Sequence, residues 1–109
     1  MGLFDLFRRP AERRKNPRHT VIATAWIRLK DNPLPFVCVL WDVSEGGARL
    51  AVAKPEAVSD ELNLVLDRDD TRGTVCRVIW RSKEQIGLQF VENAEPIRRL
   101  ITQDMARVA

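Results

Sequence analysis

The chain has 109 residues, 45% of them hydrophobic and 30% charged, enough for one domain around a single modest core and not for two. No run approaches the roughly 20 consecutive apolar residues of a membrane span, so a soluble protein is expected; one histidine leaves a zinc site or a histidine-based triad without its parts. The formal charge of +3 permits an anionic partner without demanding one, so where the charge sits matters more than its sum.

Residues 1–9, MGLFDLFRR, gather Leu3, Phe4, Leu6 and Phe7 within one or two helical turns ahead of Arg8 and Arg9. Two uses compete. One is a short amphipathic strip making a weak membrane contact or entering a partner's groove. The other is a terminus that frays or docks on the protein's own surface, which the small apolar area favours. The stretch is too short and too soon charged for a signal peptide, and Leu6 breaks the N-myristoylation pattern, so a cytoplasmic location is expected. Residues 10–19, PAERRKNPRH, are basic and bounded by Pro10 and Pro17, and Pro17 disfavours helix at Asn16. Residues 1–19 therefore read as a flexible arm ahead of a folded body at 20–109.

From Thr20 the pattern alternates, with Val21, Ala23, Ala25, Ile27 and Leu29 on one face of a strand. Asp31-Asn32-Pro33 predicts a turn, and Leu34 to Val43 a second, antiparallel strand. A turn at Ser44 to Gly47 leads into a third strand, Ala48 to Ala53, ended by Lys54-Pro55. Leu62, Leu64 and Leu66 mark a fourth strand. Thr71-Arg72-Gly73 turns into a fifth, Thr74 to Arg81, and Ser82-Lys83-Glu84 into a sixth with Ile86, Leu88 and Phe90 on one face. Six short, evenly spaced strands predict an all-β barrel or sandwich.

Asn93 is the expected N-cap of a closing helix, with Glu95 and Pro96 in its first turn. Ile97, Leu100, Ile101, Met105 and Val108 follow at helical spacing, a stripe suited to plugging one mouth of a small barrel. Cys38 and Cys76 fall inside apolar strand runs and are expected to be buried free thiols.

Two stretches carry chemistry. Arg13, Arg14 and Arg18 supply guanidinium forks that can grip phosphate oxygens, take the O6 and N7 edge of guanine, or stack on a purine. Asp42 offers acceptors to a guanine's N–H groups or to arginine, Ser44 a hydroxyl, and Gly46 and Gly47 a backbone free to turn tightly and approach a ligand. Read alone, the first stretch is a solvated linker and the second a hairpin turn.

Taken together, the RxxxR of Arg14 to Arg18 and the DxSxxG of Asp42, Ser44 and Gly47 resemble the paired signature of PilZ domains, bacterial receptors for cyclic di-GMP. The resemblance spans about residues 12–108 and includes the IGLQF run at Ile86 to Phe90 and the closing helix. It implies a six-stranded antiparallel β-barrel with a C-terminal helix, and a non-enzymatic protein with no cofactor and no metal whose ligand is cyclic di-GMP. By it, Arg14 and Arg18 clamp guanines and phosphates, Asp42 and Ser44 contact a guanine, Gly47 keeps the turn open, and Arg13 adds a further contact. The expected output is a contact with an unidentified downstream protein, in control of motility, attachment or exopolysaccharide. The alternatives are a small-barrel nucleic-acid binder, which the few aromatics and Asp67, Asp69 and Asp70 disfavour, and a scaffold indifferent to nucleotide.

Overall fold

The computed structural model describes residues 17–108, with side chains through residue 101. The apolar strip at residues 1–9, Arg13 and Arg14 lie outside the described residues.

Strand β1 (His19–Leu29) alternates as its sequence suggests: Ala25 and Ile27 are wholly buried while Thr20, Ile22 and Thr24 are exposed. Its pairing is irregular at two places, between Thr20 and Ala23 and between Ile27 and Leu29, and the first is a bulge. Thr20 pairs with Asp42 but Ala23 pairs with Leu40, so β1 carries an extra residue there, and Ile22 takes the left-handed φ of 51°. Strand β2 (Asn32–Val43) starts earlier than expected, because the hairpin turn is Lys30-Asp31 rather than Asp31-Asn32-Pro33. Leu29 already pairs with Asn32, whose side chain accepts from the Leu34 amide at 3.0 Å across the proline.

Strand β3 is Gly47–Ala51, shorter than the expected Ala48–Ala53 because the chain leaves the ladder at Val52 for a 3-10 turn at Pro55–Ala57. Strands β4 (Glu61–Val65), β5 (Thr74–Arg81) and β6 (Gln85–Glu92) follow, with Leu66 just past the end of β4. Adjacent strands pair antiparallel, and β1 with β4 and β3 with β6 close the cycle into a barrel ordered β1-β2-β3-β6-β5-β4. Closure removes the sheet edges that an open meander would expose. Leu40, Leu50, Leu64, Ile86 and Leu88 fill the interior, each at most 2% exposed, and each such side chain contributes about 1.5–3 kcal/mol by leaving water.

Helix α1 (Glu95–Val108) lays Ile97 wholly inside the core, with Leu100 and Ile101 packed against it. Asn93 is not its N-cap. The Ala94 carbonyl accepts the first helical bonds, from the amides of Ile97 and Arg98, while Asn93 takes φ 58° and its amide nitrogen donates to the Gly73 carbonyl at 2.9 Å. Asparagine tolerates the left-handed region, and that property turns β6 into the helix.

Cys38 and Cys76 are buried and free, and burial pushes both thiols up from 9.0 to about 12. Above pH 9 the unfolded chain gives up thiol protons that the folded one keeps, so this stabilisation is whole below pH 9 and is lost as pH rises toward 12. At pH 10 the loss is about 1 kcal/mol for each thiol. Urea titrations at pH 8 and 10 of the wild type and of Cys38→Ala/Cys76→Ala check this: the double variant is expected to lose less between the two pH values.

Candidate functional site

The site begins with register. His19 pairs with Val43 and Thr20 with Asp42, so the coil entering β1 runs beside the end of β2 and brings Arg18 to Asp42. A second bulge sets the direction of the carboxylate. Leu40 pairs with Leu50 and Val43 with Ala48, both pairs buried, with one extra β2 residue between them. Trp41 and Asp42 therefore share the outer face, where simple alternation from Cys38 and Leu40 would have sent Asp42 inward.

Arg18 Nη1 donates to Asp42 Oδ1 at 3.1 Å, and Arg49 Nη2 donates to Asp42 Oδ2 at 2.6 Å. Asp42 is only 5% exposed, whereas the Arg18 and Arg49 side chains are 48% and 37% exposed. A nearly buried carboxylate thus faces two half-exposed guanidiniums, an arrangement with a local surplus of positive charge that suits an anionic ligand.

The loop after Asp42 is held at three points. The Ser44 amide donates to the Gly47 carbonyl at 2.8 Å, the Phe90 amide to the Gly46 carbonyl at 2.9 Å, and Arg98 Nε of α1 to the Glu45 carbonyl at 2.8 Å. Ser44 is 7% exposed and its hydroxyl faces the same Gly47 carbonyl at 3.4 Å. The two glycines stand in different surroundings. Neither takes a left-handed φ. Gly46 has open space where a Cβ would stand, while a Cβ on Gly47 would lie 2.0 Å from the Leu88 carbonyl oxygen. Gly47 therefore lets β3 close on β6, and the Ser44 amide, not glycine freedom, closes the turn.

Of the residues singled out from sequence, the structure brings Arg18 and Asp42 into contact, with Ser44, Gly46 and Gly47 in the adjoining loop; Arg13 and Arg14 lie outside the described residues. Arg49 and Arg98 were missed. Pairing the hairpin outward from a four-residue loop at 44–47 would have set Arg49 opposite Asp42, but Arg98 carries no sequence signal beyond its place in the first turn of α1. Among the described residues no cluster of histidine, cysteine, aspartate and glutamate could hold a metal ion, and no helix is long and apolar enough to cross a membrane.

No relative among curated proteins matches the chain. A family model does, that of the PilZ domain, over residues 12–107, which takes in the barrel, the RxxxR and DxSxxG stretches and nearly all of α1. With nearly its whole length covered, the chain belongs to the PilZ domain family, a family of cyclic di-GMP-binding domains.

Proposed function

We propose that this chain is a bacterial, cytoplasmic, non-enzymatic receptor for cyclic di-GMP that passes the signal to a protein partner in control of motility, attachment or exopolysaccharide. The observation that carries the reading is the 3.1 Å contact between Arg18 and Asp42, because it joins the two stretches whose side chains complement guanine and phosphate. In this reading Arg18 turns from Asp42 to the ligand's phosphates and guanine edges. Arg14, four residues upstream and so within about 14 Å along the chain, grips from the same side, and Arg13 adds a further phosphate contact. Asp42 accepts from a guanine's N–H groups, and Ser44 with the Gly46-Gly47 backbone lines the approach. Ordering of a segment around a bound ligand is an established way to create a surface that a partner reads.

Calorimetric titration with cyclic di-GMP is the test. Wild type is expected to bind saturably. Arg14→Ala and Arg18→Ala each remove charge-assisted hydrogen bonds of about 1.5–3 kcal/mol, weakening binding by roughly 10- to 150-fold. Wild type without heat of binding at tens of micromolar ligand, or arginine variants binding as wild type does, would refute the assignment. Affinity for arbitrary single-stranded DNA that collapses with salt would instead favour a nucleic-acid binder.

A further inference from the structure

The receptor reading assigns ligand contacts to Arg18 and Asp42 and leaves Arg49, the second cation at the same carboxylate, without a role. Arg49 sits inside β3, cross-strand from Asp42 on one side and from Gly87 on the other. Gly87 in turn faces Trp80, whose indole fills the space that a Cβ there would need. Asp42, Arg49, Gly87 and Trp80 thus form one row across four strands on the outer face of the barrel.

The two guanidiniums at Asp42 are held differently. Arg18 belongs to the coil before β1 and contacts Oδ1 at 3.1 Å, with the more exposed side chain of the two. Arg49 is fixed by ladder pairing on both flanks and contacts Oδ2 at 2.6 Å. Its Nε is sealed from solvent with no hydrogen-bond partner among the described residues. Burying a guanidinium nitrogen unpaired is unfavourable and persists only where other contacts hold the group in place. The 2.6 Å bond from Nη2 to Asp42 is such a contact.

We propose that Arg49 is a positioning residue of the nucleotide site: it holds and neutralises Asp42 so that Arg18 can exchange that carboxylate for the incoming ligand. The proposal rests on the cyclic di-GMP reading above. Its physical basis is the burial of Asp42. Without Arg49, a carboxylate 5% exposed that released Arg18 would be left charged and unpaired in a poorly solvated place. Such a carboxylate would retain Arg18 or swing away, and both oppose binding. With Arg49 on the second oxygen, release of Arg18 exchanges one pairing for another. Asp42 keeps the orientation in which its freed oxygen faces the ligand.

The experiment compares cyclic di-GMP affinities of wild type, Arg49→Met and Arg49→Lys, each also in an Asp42→Asn background, with urea titrations confirming that every variant is folded. Methionine keeps the apolar stem and loses the charge, while lysine keeps a charge able to reach Asp42. Arg49→Met is expected to weaken binding about tenfold and Arg49→Lys less than about threefold. In the Asp42→Asn background, where no carboxylate needs holding, the Arg49→Met effect is expected to shrink below about threefold. Equal losses with methionine and lysine, both of which keep an aliphatic stem, would show that a positive charge at this position is not what holds Asp42. An undiminished methionine effect in the Asp42→Asn background would make Arg49 a direct ligand contact. Either result overturns the positioning role while leaving the receptor reading intact. Failure of wild type to bind overturns both. If Arg49→Met does not fold, Arg49→Gln takes its place in the comparison.

Discussion

Gly47→Ala is expected to destabilise the protein by about 3 kcal/mol, whereas Gly46→Ala, one residue earlier, changes stability by less than about 0.5 kcal/mol in either direction. The difference lies in what each new methyl group meets. At Gly47 it would stand 2.0 Å from the Leu88 carbonyl oxygen, a backbone atom of β6 that cannot rotate aside. The start of β3 must then move off β6, at the point where Gly47 pairs with Gln89 and Ala48 with Leu88. That movement strains two further bonds, from the Phe90 amide to the Gly46 carbonyl and from the Ser44 amide to the Gly47 carbonyl. Overpacking costs about 1–3 kcal/mol and each weakened hydrogen bond about 1 kcal/mol more. At Gly46 nothing stands within 4 Å and φ lies outside the left-handed region, so an alanine methyl group enters solvent and removes some freedom from the unfolded chain. Urea unfolding of the two variants side by side decides the matter. Similar midpoints would mean that the loop yields at Gly47 and that β3 is not held against β6 as described. Because the loop adjoins Asp42, Gly47→Ala is also expected to weaken cyclic di-GMP binding in protein that remains folded.

The contrast between these glycines shows where sequence reading stops. Alternation in β1 and the apolar stripe of α1 were legible because each is a local period, and burial follows the period: Ala25 and Ile27 inside, Ile97 inside. The candidate site was legible only as residue types, since guanidinium, carboxylate and hydroxyl can complement guanine and phosphate wherever they stand. The face that Asp42 takes was not legible, because it depends on a bulge in the ladder. Without the bulge at Trp41, Asp42 would follow Leu40 into the core; with it, Asp42 meets Arg18 and Arg49 outside. A single inserted residue leaves no periodic trace. Asn93 shows a different limit. Asparagine favours both helix caps and left-handed turns, and only its bond to the Gly73 carbonyl on the far side of the β4–β5 turn decides between them.

Ile97→Ala is expected to cost about 3 kcal/mol of stability, and its second effect reaches the site. Ile97 is wholly buried in the barrel core, and replacing such a side chain by alanine loses its transfer free energy and leaves a cavity, together about 2–5 kcal/mol. The helix start offers little compensation, because Ala94 at the N-cap has no side-chain acceptor for the first amides. Leu100 and Ile101 keep partial contact, so α1 loosens at its first turn. The next residue, Arg98, donates to the Glu45 carbonyl at 2.8 Å and is one of three ties on the loop that follows Asp42. Loosening Ile97 therefore relaxes that tie. Arg98→Ala separates the two consequences: its side chain is 38% exposed, so stability should fall by less than about 1 kcal/mol while the tie is lost outright. If the helix steadies the site through Arg98, both variants weaken cyclic di-GMP binding several-fold in folded protein, and only Ile97→Ala shifts the urea midpoint strongly. A stability loss below about 1 kcal/mol for Ile97→Ala would show that α1 is not part of the core. Unchanged affinity in Arg98→Ala would show that the loop is held well enough by Phe90 and the Ser44–Gly47 bond alone.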